Sequence, residues 1–186
     1  MPSDQVMAQV NLLVDFANSY DVEDGTEELG TPADLAGWLV ERELLSRDIE
    51  VSPAALSVAH ELRAGFRRAM VANHDGTRPD HPELTAVAAK LPLRLSFDHG
   101  EPQLVPTGDA VDRALGALLV AAEAASAGGA WRRLKLCAAS DCQVAFYDTS
   151  KNQSRTWCSM AVCGNRQKTR SYRRRQASSE PASSPH

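Results

Sequence analysis

The chain has 186 residues, 43% of them hydrophobic and 24% charged, with a net charge of −4 at neutral pH. That length holds one medium domain, or one domain and a small module, of ordinary globular composition. No apolar run approaches the roughly 18 to 20 residues that cross a membrane. The N-terminus lacks the basic stretch and compact apolar core of a signal peptide, so the cytoplasm is the expected address.

Asp4 to Tyr20 reads as a first helix, with Val6, Val10, Leu13, Val14 and Ala17 near helical spacing. The acidic stretch Asp21–Gly30 follows; its acids do not fit the spacing of a calcium loop, so it reads as a solvated connection. Thr31-Pro32-Ala33-Asp34 combines a cap, an N1 proline and an acid three residues on, which starts a second helix expected to end near Ser46. Ser52-Pro53 repeats the signal for a third helix reaching about Asn73, closed by Asp75-Gly76. A shorter helix is expected over 82–90. Leu93, Leu95 and Phe97 then alternate with Arg94, Ser96 and Asp98 as a strand, and 103–105 can pair back as a hairpin. Residues 107–127 read as an alanine-rich helix with Val111, Leu115, Leu118, Leu119 and Ala122 inside. Gly128-Gly129 marks the expected boundary of a body over 1–130. A finger is expected over 131–176, and a Ser- and Pro-rich tail over 177–186 should be disordered.

Charge is split between the two parts. Residues 1–130 carry 9 Lys and Arg against 21 Asp and Glu, and residues 131–186 carry 11 against 3. An acidic body joined to a basic end points to a polyanionic partner.

The basic end also holds all four cysteines. Cys137 and Cys142 flank four residues, Cys158 and Cys163 flank four more, and fifteen residues separate the pairs. Two close pairs with a hairpin-sized insert are what a tetrahedral zinc site requires, and disulfides are rare in the expected compartment. An iron–sulfur cluster and free thiols are the alternatives. The absence of a Cys-x-x-Cys pair argues against redox exchange, and the absence of histidine between Cys137 and His186 argues against a catalytic zinc. Val144–Tyr147 is β-like, and Arg155–Trp157 is expected to return beside it. A helix follows Cys163, giving a treble-clef-like arrangement with Phe146, Tyr147 and Trp157 as most of its core. So small a module needs the metal to fold. The expected fold class is therefore α+β: a mainly helical body with a small hairpin, and a C-terminal four-cysteine zinc finger.

The run Cys163-Gly164-Asn165-Arg166, with the preceding Phe-Tyr-Asp-Thr-Ser and Arg-x-Trp-Cys-Ser-Met stretches, resembles the CGNR zinc finger. Leu13–Ser19 and Asp34-Leu35-x-x-Trp38-Leu39 resemble stretches of the ABATE domain that precedes this finger in a family described as stress-induced transcriptional regulators. The resemblance implies one zinc ion and, at family level, nucleic-acid binding.

Arg166, Lys168, Arg170, Arg173, Arg174 and Arg175 follow the last cysteine, and Lys151 and Arg155 lie on the insert. At about 100° per residue, Arg166, Arg170, Arg173 and Arg174 share a stripe. Arginine suits phosphates and guanine edges, so duplex DNA is the expected partner, met mostly through phosphates. Asn165 and Arg166 also have a structural reading, as braces of the metal site or of an acid such as Asp148. Two alternatives remain: a protein-interaction module that docks an acidic partner, and an RNA-binding protein that stacks bases on the insert's aromatics. In the body, Asp15 and Asn18 share a helix face and read as a small-molecule pocket, a buried hydrogen-bond network or a helix cap. No nucleophile elbow, phosphate loop or dinucleotide fingerprint is present, and no enzyme is expected. Duplex-binding regulators often read two half-sites as a homodimer, which is one option here, but no heptad or dimer helix is visible in the sequence to fix the oligomeric state.

Overall fold

The computed structural model describes residues 2–98 and 100–179, with side chains to 176. The body contains α1 (Asp4–Asn18), α2 (Pro32–Glu41), α3 (Pro53–Asp75), α4 (Pro82–Ala88), the hairpin strands β1 (Leu93–Ser96) and β2 (Gln103–Pro106), and α5 (Ala110–Ala127). A single 3-10 turn, Trp131–Arg133, leads to β3 (Leu134–Leu136) and β4 (Ala145–Tyr147). A π-helical turn at Met160–Gly164 opens α6 (Asn165–Ser179). The fold class is α+β, with two separate two-stranded antiparallel sheets.

Helix starts follow the local chemistry. Thr31 and Asp34 form a reciprocal capping box, and Ser52 accepts from the Ala55 amide ahead of Pro53. α3 stops at Gly76, whose φ of +69° is the left-handed turn that favours glycine. α5 begins at Ala110, later than the pattern predicts, because Gly108 turns with φ +91° and Asp109 with Asp112 makes the capping box. α2 ends at Glu41 rather than Ser46.

The core is built by Val10, Leu13 and Phe16 of α1, Trp38 and Leu39 of α2, Leu62, Phe66 and Met70 of α3, and Leu115 and Leu118 of α5. Phe16 meets both Trp38 and Phe66 edge to face. The acidic connection is more ordered than a solvated loop: Tyr20 bridges to Glu27, and Leu29 is fully buried. Glu27 forms a bidentate pair with Arg63, which also donates to Ser19 Oγ.

The hairpin β1–β2 sits on α5 with Leu93 opposite Pro106 and Ser96 opposite Gln103. Its inward phase differs from the apolar alternation. Ser96 is buried and donates to Asp98 Oδ2, while Leu95 and Phe97 are exposed. Among the described residues, no helix is long and apolar enough to cross a membrane.

The chain passes Gly128-Gly129 without leaving the core. Leu134, Leu136 and Ala145 belong to the same buried cluster as α1 and α3. β4 pairs with β3, Leu134 facing Tyr147 and Leu136 facing Ala145, and not with 155–157 as the sequence led us to expect. The reason lies in the neighbours. β3 emerges directly from the body with the partners β4 needs, whereas 155–157 donates to Asp148 and to the carbonyls near Cys158. Of the expected tail over 177–186, the backbone of 177–179 continues α6, and 180–186 lie outside the described residues.

Candidate metal centre and basic helix

Cys137 and Cys142 lie in the turn between β3 and β4, Cys158 lies just before the π-helical turn and Cys163 within it, ahead of α6. The first turn is tied by the Cys137 amide to Val144 O and by Cys142 and Gln143 amides to Ala139 O. Gln143, at φ +53°, takes the left-handed conformation that closes the knuckle. The second pair is shaped by Ser159, whose Oγ caps Val162 N. All four Sγ atoms lie within 4.8 Å of one another, with Cys142–Cys158 at 3.6 Å and Cys158–Cys163 at 3.7 Å. Four thiolates around one zinc at about 2.3 Å stand about 3.8 Å apart, so the donor set fits the ion. Burial pushes the Cys142 thiol up to about 11 and the Cys158 thiol higher still. A bound divalent cation would supply the compensating charge that holds these two as thiolates. Trp157 and Val144 pack on the cysteines, while Tyr147 packs on the main core and Phe146 is buried beneath the Arg155 guanidinium. The three aromatics thus do not form one finger core, and none is a bare stacking platform.

Each residue of the run Cys163–Arg166 has a defined place. Cys163 contributes one of the four clustered Sγ atoms that could hold the ion. A Cβ on Gly164 would fall 2.4 Å from Met160 Sδ and 3.1 Å from the Trp157 ring, so the turn is packed around its absence. Asn165 donates to Ala161 O. Arg166 donates to Cys163 Sγ and to Glu23 at 2.7 Å, and pairs with Asp141 at 3.5 Å. Glu23, the first cause, holds the Arg166 guanidinium above its ordinary value. Arg170 joins Asp141 at 2.8 Å, and this contact with Arg170 holds the Asp141 carboxyl below the usual range. The acids that Arg166 braces are Glu23 and Asp141, not Asp148. Asp148 is fully buried and bonded to Lys135 Nζ at 2.8 Å, to Ser150 and to the Arg155 amide.

These contacts divide the basic residues. Arg166 and Arg170, the head of the expected stripe, turn toward the body and the knuckle. Arg155 donates to the carbonyls of Trp157 and Cys158. Lys151 lines a cleft with Asp4, Met7 and Gly129, at the opposite end of α1 from Glu23. α1 is about 22 Å long at 1.5 Å per residue, and Lys151 lies at its N-terminal end, whereas Glu23, the partner of Arg166, follows its C-terminal end. Lys168, Arg173, Arg174 and Arg175 are exposed along α6, as is Tyr172. Among the described residues, no acid pairs with Lys168, Arg173 or Arg175.

Asp15 and Asn18 part company. The Asn18 amide both donates to Ala145 O at 3.0 Å and accepts from Ala145 N at 2.7 Å, clasping the edge of β4. Asp15 is half-exposed and stands 4.0 Å from Arg42, which stacks on Trp38. The expected shared pocket is therefore not formed; Asn18 joins body to finger. Arg67 adds a second tie, donating to Ala17 O and Gln143 O, and Asn73 a third, donating to Trp131 O and Leu134 O. Sequence reasoning missed Glu23, Arg67 and Asn73 as partners of the finger, and Asp141 as the partner of Arg166 and Arg170 within it. Their only signal is an acid or a polar group on an element of no evident purpose.

A thiolate zinc centre built onto a helical body, with a basic helix leaving its last ligand, defines a zinc-finger protein with an integral rather than tethered finger. The CGNR zinc finger family matches residues 133–176. The ABATE family, described as "Putative stress-induced transcription regulator", matches residues 11–133, more than half of the chain. The chain belongs to the ABATE family and carries its CGNR finger with one structural zinc. A search of curated proteins gives no match.

Proposed function

We propose that the protein is a non-catalytic, cytoplasmic regulator of transcription that binds duplex DNA through α6, with the zinc centre as the mount and the acidic body as the regulated part. The observation that carries this reading is α6 itself. From 165 to 176 it has no acid, and it exposes Lys168, Arg173, Arg174 and Arg175. Its first turn is fixed by Cys163, Arg166 and Arg170. A rigid, cationic helix of this kind meets phosphates from several sides, with Arg166 and Arg170 positioning it rather than reading bases. Charge reversal at Arg173 and Arg175 together tests the reading by fluorescence anisotropy on a duplex at low salt. Loss of binding by at least about tenfold supports it, and unchanged binding refutes it.

A second reading has its own observation. The head of the helix already meets two carboxylates, Glu23 and Asp141. An acidic protein surface, including the body of a second copy, offers the same groups. In that case the same variant abolishes self-association or partner capture while duplex affinity stays as it was.

A further inference from the structure

A cleft of about 440 Å³ opens where the end of α3, the end of α5 and the finger insert meet. Its wall carries Arg78, Arg132, His81, Ser126, Trp131 and Gln153, and no carboxylate. In a body so rich in acids this is an unusual lining. Asp75 and Asp80 flank Arg78 in sequence, yet among the described residues neither forms an ion pair with it. Arg132 spends one N–H on Thr77 O at 3.3 Å and pairs with no acid among the described residues.

The cleft is also held in shape. The loop carrying Arg78 is fixed by Gly76 in its left-handed turn and by two bonds from Thr77, through its amide and its hydroxyl, to Ala72 O. Trp131 is half-buried and locked edge to face on Phe66 at 6.1 Å. Gln153 sits at φ +52°, with its carbonyl bonded to the buried Lys135. Two guanidiniums without carboxylates present planar, charged donors suited to phosphate oxygens. A fixed aromatic wall offers a face for a ring, and the volume lies in the range of small-ligand pockets. A concave site of this size does not suit a duplex backbone. It also lies toward the α1 N-terminus, since Gly129 lines both this cleft and the one holding Asp4, whereas α6 begins beside Glu23 beyond the other end of α1.

We infer that this cleft binds a small phosphate ester carrying a ring, of the nucleotide class. The ligand touches body helices and finger insert together, which places it to report on the junction between them. The inference concerns a different surface from α6. Zinc-loaded full-length protein is titrated by calorimetry with adenosine monophosphate, guanosine monophosphate and adenosine. The monophosphates are expected to bind below about 1 mM, and adenosine at least about tenfold more weakly. Arg78→Gln and Arg132→Gln are each expected to weaken monophosphate binding by about tenfold while zinc content and melting temperature stay unchanged. The inference is overturned if no monophosphate binds more tightly than adenosine, or if the double variant binds them as the unmodified protein does. It is equally overturned if the double variant loses only duplex affinity, which would assign these arginines to the DNA backbone.

Discussion

Replacing Lys135 by methionine removes the positive half of an ion pair whose side chains are 3% and 0% exposed. Two charges so buried cannot recover water when one is lost. Breaking such a pair costs about 3–5 kcal/mol. Asp148 retains the Ser150 amide and hydroxyl and the Arg155 amide, which places the cost near the lower end, about 3 kcal/mol. For a chain of this size that lowers the melting temperature by about 6–12 °C. Burial pushes the Asp148 carboxyl up, but Lys135, Ser150 and Arg155 outweigh it and hold it at about 2, below its ordinary 3.8. A depressed carboxylate contributes stability that is fully present above pH 3.8 and lost as pH falls through about 2. Its share is on the order of 2 kcal/mol. Lys135→Met is therefore expected to lose stability at pH 7, where the zinc stays bound, and chemical denaturation of the zinc-loaded variant at pH 7 measures the loss. Pairing it with Asp148→Asn should restore part of the loss. A destabilisation under about 1 kcal/mol, or no coupling in the double variant, refutes the reasoning.

Asn18→Ala strips both partners from the Ala145 peptide and should cost about 2–3 kcal/mol in thermal denaturation, with the finger loosening first in hydrogen exchange. Cys158→Ser should lower zinc content below one per chain by metal analysis, and chelation of the unmodified protein should reproduce the loss of near-ultraviolet dichroism around Trp157. Glu23→Gln releases Arg166 from its half-exposed partner and should raise duplex affinity by up to about fivefold at low salt, measured by anisotropy.

What could be read in the sequence was local. Thr31-Pro32 and Ser52-Pro53 mark helix starts because capping is settled within three or four residues. The cysteine pairs were legible because ligand spacing in a knuckle is set by one turn of chain. Contacts across the fold left less trace. The partner of β4 was misjudged because Leu134–Leu136 is three residues long and carries a buried lysine, which hides it as a strand. Asn18 looked like half of a pocket because one helix face cannot show that a strand edge 127 residues away will meet it. The inward turn of Arg166 and Arg170 depends on Glu23 and Asp141, and neither lies at helical spacing from them.

The proposed function requires α6 to meet DNA while the zinc centre holds it. Its most direct test is duplex affinity between about 50 and 200 mM salt, on one sample before and after chelation. Four exposed cations, Lys168, Arg173, Arg174 and Arg175, predict a log–log slope of about −3.6, with binding lost when zinc is removed. A slope near zero, or affinity untouched by chelation, would contradict it.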